Sequence, residues 1–174
     1  MAARCVVALG ANLGDRLAVL RAAVRELEET PGTTVTAVSP VVSTRAVGGP
    51  GGSPDYLNAV VQLSTELTPW QVLEVCQDIE RRHGRTREVR WGPRTLDLDV
   101  VCVEGVRSAD PRLLLPHPRA RERAFVLQPW ALMDPEAVLE GESVAELART
   151  APDLADLTVT EFLLRPEEDP ACAT

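Results

Sequence analysis

Lysine is missing altogether: all eighteen basic residues of this 174-residue chain are arginine. That absence excludes a Walker-type phosphate loop, whose lysine reaches the β- and γ-phosphates, and any Schiff-base chemistry on a lysine amine. Aromatic residues are scarce, with one Tyr, two Phe and three Trp. The chain is also acidic, with a formal charge of −8 and a pI near 4.8. Tracking a nucleic-acid backbone needs an extended basic face with interleaved stacking rings, so nucleic acid is not an expected partner. Cysteine is sparse too. Cys5, Cys76, Cys102 and Cys172 form no Cys-x-x-Cys pair and do not cluster with His83 or His117, which argues against a structural zinc site or a disulfide framework. No apolar run approaches a membrane span, and the start Met1-Ala-Ala-Arg-Cys has no signal-type apolar core, so a cytoplasmic protein with no membrane partner is expected. What is present is ordinary for one globular domain with a real core: 45% apolar and 25% charged residues.

The most informative stretch is Arg90-Trp91-Gly92-Pro93-Arg94-Thr95-Leu96-Asp97-Leu98-Asp99. Residues 96–103 are apolar and partly β-branched and predict a core strand, on which Asp97 and Asp99 share a face. Along a strand, two such carboxylates stand roughly 6–7 Å apart and can ligate one hard cation or bridge two. Just upstream, residues 81–94 hold Arg81, Arg82, Arg85, Arg87, Arg90 and Arg94 beside Gly84, Gly92 and Pro93. This local basic surplus in an acidic chain predicts a mobile loop that seeks anions, since guanidinium forks match phosphate oxygens. Carboxylates needing a cation and arginines needing an anion are satisfied together by a magnesium polyphosphate. The plainer reading is an exposed strand face with an Asp–Arg ion pair, and a solvated charged surface suits Arg81 and Arg82 better than Arg94.

Along the chain, Arg4–Gly10 predicts a buried strand. Leu17, Leu20, Val24 and Leu27 recur at helical spacing after a capping Asp15, until Pro31-Gly32 stops the helix. Thr33–Thr44 reads as one strand and Tyr56–Glu66 as its antiparallel neighbour, with the Gly/Pro/Ser loop 48–54 between them. Thr68-Pro69-Trp70 opens a helix running to about His83, and residues 96–103 follow as a strand. The order β-α-β-β-α-β is the ferredoxin-like pattern. Residues 104–120 read as a proline-punctuated connection, and Arg123–Met133 and Ser143–Arg149 as further helices that can cover the second face of the sheet. The expected fold class is α+β: a ferredoxin-like βαββαβ core with additional helices, forming a three-layer α/β/α single domain over residues 1–165. An acidic tail, 166–174, is expected to be disordered.

Five blocks carry a family resemblance: Gly10-Ala-Asn-Leu-Gly-Asp, Asp55-Tyr-Leu-Asn-Ala, the ten residues from Arg90 to Asp99, Pro116-His-Pro-Arg, and Arg123-Ala-Phe-Val-Leu. In that order they resemble the 6-hydroxymethyl-7,8-dihydropterin pyrophosphokinases of folate synthesis, over residues 4 to about 135. The resemblance implies transfer of the β,γ-diphosphate of ATP to the pterin hydroxymethyl group with release of AMP. It implies two Mg²⁺ ions on Asp97 and Asp99, and phosphate contacts from Arg85, Arg94 and Arg123. Gln77, Glu80 and His117 match positions near the ATP site. The pterin ring is expected between Tyr56 and Phe125, with Asn58 and Thr44 among its hydrogen-bonding partners and Trp91 closing over it. ATP and the pterin are the expected partners of a chain acting as a monomer.

The chain departs from the family pattern at Ala46, where proline is frequent, in the glycine-rich loop Gly48–Pro54, and in the spacing between Gly84 and Trp91, which leaves Arg87 hard to place. Without the family, Phe125 reads as helix core and His117 as a loop residue. Two other classes stand as alternatives: a non-catalytic ferredoxin-like binding module, and a two-metal nucleotidyl transferase or cyclase that releases pyrophosphate instead of AMP.

Overall fold

The structure is a computed structural model, and it describes residues 1–45, 55–84 and 96–165. Strand β1, Ala3–Ala11, is the spine of the molecule. It pairs antiparallel with β4 (Tyr56–Thr65) on one side and β5 (Asp97–Val103) on the other. Beyond β4 lie β2 (Thr33–Val38) and β3 (Val42–Thr44), both antiparallel to it. Helix α1, Arg16–Glu28, connects β1 to β2, and α2, Pro69–Arg82, connects β4 to β5. This is the split βαβ arrangement of the ferredoxin-like core, as the element order predicts.

Strand β1 is buried on both faces, and its alternation builds two cores. Cys5, Val7, Leu9 and Ala11 join Leu20, Val24 and Leu27 of α1 and Val72, Cys76 and Ile79 of α2. Val6 and Ala8 point the other way, into a second core with Val126, Leu127 and Trp130 of α3 (Ala124–Met133) and Val144 and Ala148 of α4 (Val144–Thr150). The result is three layers, with the sheet in the middle. The caps follow the local sequence: the Asp15 carboxylate accepts from the Ala18 amide at 3.1 Å, and Thr68 and Gln71 form a capping box around Pro69.

The single strand predicted over Thr33–Thr44 is two. Pro40 has no amide to offer the ladder, and Ser39 bridges the gap by donating its backbone N–H to Val60 O (2.9 Å) and accepting the Val60 N–H on its hydroxyl (2.8 Å). The connection predicted over 104–120 contains a small hairpin of β6 (Ser108–Asp110) and β7 (Leu113–Leu115). Residues Val138–Leu139 and Glu142–Ser143 form a second hairpin, β8–β9.

The C-terminal region is a strap that the sequence does not announce. Strand β10, Leu157–Val159, adds to the free edge of β3. Thr160 donates its amide to Val41 O, the Arg21 guanidinium donates to Leu163 O at 2.8 and 3.0 Å, and Arg165 reaches Glu28 Oε2 at 3.0 Å. Leu164 is buried in the first core. Leu164→Ala should therefore cost about 2–5 kcal/mol, the usual penalty for emptying a buried leucine site, read as a lower urea midpoint with an unchanged slope. The tail predicted over 166–174 lies outside the described residues.

The end of α2 is tied to α1 through Glu26, which accepts from Arg82 Nε at 2.8 Å and meets His83 Nε2 at 2.6 Å. Burial pushes the Glu26 carboxyl up, but the hydrogen bonds and charges of Arg82 and His83 together hold it below its ordinary value. A depressed carboxylate stabilises the fold above its unfolded pKa, and that contribution is lost as pH falls through the folded one. The acid-side loss of stability should therefore be shallower in Glu26→Gln than in the parent chain, measured as urea midpoints across the acid range.

Candidate active site

The site forms where one face of the sheet is left uncovered by α1 and α2. Leu98 and Val100 of β5 enter the first core, so Asp97 and Asp99 stand on the opposite face, the one that α3 covers in part. Asp99 pairs with Ala8 and Asp97 with Gly10 on β1, and Gly10 pairs in turn with Asn58 on β4. Tyr56 and Asn58 alternate onto this same face, and β3 brings Thr44 opposite Tyr56. The register alone thus gathers Thr44, Tyr56, Asn58, Asp97 and Asp99 on one surface.

Gly10 is what lets them meet. A Cβ built there would stand 2.8 Å from Asn58 Oδ1, so the carboxamide lies over the glycine. Asn58 is buried and donates through Nδ2 to Thr44 Oγ1 at 3.0 Å. Its orientation is thereby fixed, with one oxygen and one amide proton beyond that bond for a flat heterocycle to read.

Along the outer edge of β5 runs a cleft of about 360 Å³. Leu73, Leu98, Val100 and Leu113 supply apolar wall, Asp99, His117 and Arg123 the polar end, and Arg112 and Arg119 a basic rim. His117 is placed by its own amide, which donates to Val101 O at 2.7 Å. Its Nδ1 accepts from the Arg119 amide at 3.2 Å, which assigns the proton of the neutral ring to Nε2. Burial lowers the His117 pKa from its ordinary value, against the pull of Asp99 and with the push of Arg123 and Arg119, so at neutral pH the ring is an uncharged N–H donor. Arg123 is half-buried and its pKa is also lowered by burial, opposed most strongly by Asp99. Its guanidinium carbon lies 5.4 Å above the Phe125 ring, on the first turn of α3.

Glu80 is almost wholly buried, and its Oε1 accepts the Leu98 N–H at 3.1 Å, between the two aspartates but from the α2 side. This bond occupies an edge amide of β5 and fixes the segment bearing the carboxylates. Gln77, one turn earlier on α2, is half-buried. Arg85, Trp91 and Arg94 lie outside the described residues, as does the 48–54 loop. Arg112 was not singled out from sequence. It is held by both Asp110 oxygens, at 3.0 and 3.2 Å, with its guanidinium carbon 4.9 Å over the Trp70 ring. Its only signal in the sequence was an arginine among prolines.

Among the described residues, no group of three or more His, Cys, Asp or Glu side chains is arranged to hold a metal. A pair of carboxylates does not by itself make a closed zinc cage. It does fit a hard divalent cation that keeps water and takes its remaining ligands from phosphate oxygens. No helix among the described residues is long and apolar enough to cross a membrane.

A curated protein of Methylorubrum extorquens, 2-amino-4-hydroxy-6-hydroxymethyldihydropteridine pyrophosphokinase, is 48% identical over 153 residues, covering 86% of this chain and 94% of the relative. Its namesake in Bacillus subtilis is 46% identical, covering 72% and 74%. The crystal structure of wild-type Plasmodium falciparum HPPK-DHPS with pterin and p-hydroxybenzoate superposes with a TM-score of 0.67 at 12% identity, over 91% of this chain. The chain spans less than half of that protein, 45% of its length, and the likeness concerns the fold. The profile of 7,8-dihydro-6-hydroxymethylpterin-pyrophosphokinase (HPPK) matches residues 6–135, and the chain belongs to that family.

Proposed function

We propose that this sheet face carries out the family's reaction: the β,γ-diphosphate of ATP passes to the hydroxymethyl oxygen of 6-hydroxymethyl-7,8-dihydropterin, giving the pterin diphosphate and AMP in folate biosynthesis. The observation that carries the reading is the cross-strand row Asn58, Gly10, Asp97. It sets a heterocycle-reading amide and a cation-binding carboxylate two strand spacings apart, about 9–10 Å. A bicyclic pterin with its hydroxymethyl arm reaches across that gap.

In this reading the cleft beside β5 receives ATP, with the base against Leu73, Leu98 and Val100 and the phosphates toward His117 and Arg123. Neutral His117 donates through Nε2, and Arg123 adds positive charge where the polyphosphate is negative, so their contribution is positioning and electrostatics. Gln77 belongs to the nucleotide side. Glu80 acts from behind, through the Leu98 amide. Tyr56 and Phe125 offer faces to the pterin ring, while Asn58 and Thr44 read its polar edge. Asp97 and Asp99 would hold two Mg²⁺ ions, which supply charge neutralisation and Lewis-acid polarisation of the phosphates when bound. Arg85, Arg94 and Trp91 enter through the family resemblance, as phosphate contacts and pterin lid. Residues 1–165 form the pyrophosphokinase domain in this reading, acting as a cytoplasmic monomer, with 166–174 an appended acidic tail.

The test is product analysis after incubation with Mg-ATP, with and without 6-hydroxymethyl-7,8-dihydropterin. AMP should appear only when the pterin is present. A non-catalytic module would release none, and a nucleotidyl transferase would release pyrophosphate.

A further inference from the structure

Helix α3 begins at the site with a poor start of its own. Arg123 occupies the capping position in extended conformation (φ −112°, ψ 108°) and makes no side-chain capping bond. Arginine is not a capping residue, and an unfilled helix start leaves amides without partners. The missing acceptor comes from far along the chain: Asp153 Oδ1 accepts the Ala124 amide at 2.7 Å, across 29 residues of sequence. Asp153 lies beyond the family-matched segment, which stops at residue 135. It is itself anchored, since the Leu154 amide donates to Ala151 O at 3.2 Å, the Asp156 amide to Asp153 O at 3.1 Å, and Ala151 and Leu154 pack with the second core. The two residues flanking this bond are Arg123 and, one further on, Phe125, whose guanidinium and ring face each other.

We infer that Asp153 is a positioning residue for the reaction: by filling the start of α3 and facing Arg123 with negative charge, it sets both the phosphate-side guanidinium and the pterin-side ring. This rests on the functional reading above, in which Arg123 and Phe125 touch the two substrates. Its charge favours the ionised guanidinium that burial disfavours, alongside Asp99 and Asp97. The carboxylates of β5 and Asp153 thus both act on Arg123 with negative charge. Removing the Asp153 charge weakens the hold on the guanidinium, and displacements on the scale of an ångström cost far more in rate than in stability.

Asp153→Asn keeps an acceptor oxygen for the Ala124 amide and removes the charge, whereas Asp153→Ala removes both. With each protein assayed well below its own melting temperature, Asp153→Asn should lower kcat by about fivefold or more and Asp153→Ala by about tenfold or more, as expected for misplaced phosphate-side groups. Ser143→Ala is the control: it deletes the cap of α4, where Ser143 Oγ accepts the Glu146 amide, and should lower Tm while leaving both kinetic constants within about twofold. Wild-type kcat and KM in Asp153→Asn would overturn the assignment and leave Asp153 as an ordinary cap, whether or not the alanine variant folds. Calorimetric binding of a non-hydrolysable Mg-ATP analogue reads the same point without turnover: weaker binding in Asp153→Asn supports the inference, and unchanged binding counts against it. Absence of AMP production by the parent chain would instead tell against the proposed reaction.

Discussion

Asp97→Asn and Asp99→Asn should each fold like the parent chain and turn over at least about 10²–10³ times more slowly, the range seen when one preorganised electrostatic group is removed from an active site. Asp99 is exposed and Asp97 only half-buried, on a strand whose buried core residues are Leu98, Val100, Val101 and Val103. The amide keeps the size and an acceptor oxygen but not the charge that balances a divalent cation bound to polyphosphate. Asp99 lines the same cleft as Arg123 and His117 and acts on the charge of both, so neutralising it should raise nucleotide KM as well as lower kcat. Unchanged circular dichroism and Tm with lost turnover is the expected pattern. Full activity of either variant at saturating Mg²⁺ would remove these residues from the site.

A second large effect is expected at a residue with no functional group. Gly10→Ala places a methyl 2.8 Å from Asn58 Oδ1, far inside contact distance, within the centre of a sheet where the backbone cannot yield. The carboxamide must swing away, breaking its bond to Thr44 Oγ1 and abandoning the edge it presents to the pterin. Pterin affinity should fall by about 10–100-fold, equivalent to the roughly 1–3 kcal/mol of a buried polar group left unsatisfied. Asn58→Ala should produce a similar loss, and the double variant should be no worse than about the larger single effect, because both act through one carboxamide. Isothermal titration with the pterin in the presence of a non-hydrolysable Mg-ATP analogue measures all three. Additive losses would mean that Gly10 acts by some route other than Asn58.

These residues show where sequence was legible and where it was not. The parity of Asp97 and Asp99, and of Tyr56 and Asn58, follows from strand periodicity, and the structure places all four on the face where parity puts them. The cap at Asp15 and the helix start at Thr68-Pro69 were readable because helix-start signals are local. Gly10, by contrast, read as the closing residue of a strand, while it lies inside β1 and pairs with both Asn58 and Asp97. Its role depends on a partner 48 positions away, by the register of a sheet that no local pattern encodes. The same reason hid β10, whose three residues Leu157–Val159 are too short to show a period and exist because β3 offers an edge. Asp153 caps a helix begun 29 residues earlier. Glu80 was placed near the nucleotide by resemblance, and its contact with the Leu98 amide required the packing of α2 on β5. Pro40 was visible, yet its effect was missed, because Ser39 keeps the two strand halves on the same neighbour.

The central claim is that the diphosphate moves as one unit from ATP to the pterin across this face. Phosphorus NMR of a reaction containing ATP labelled in its β- and γ-phosphates tests it most directly. Both labels should appear together in a pterin diphosphate, in equal amount to unlabelled AMP, and the transfer should vanish in Asp97→Asn. Labelled pyrophosphate free in solution, or ADP carrying a single label, would contradict the account.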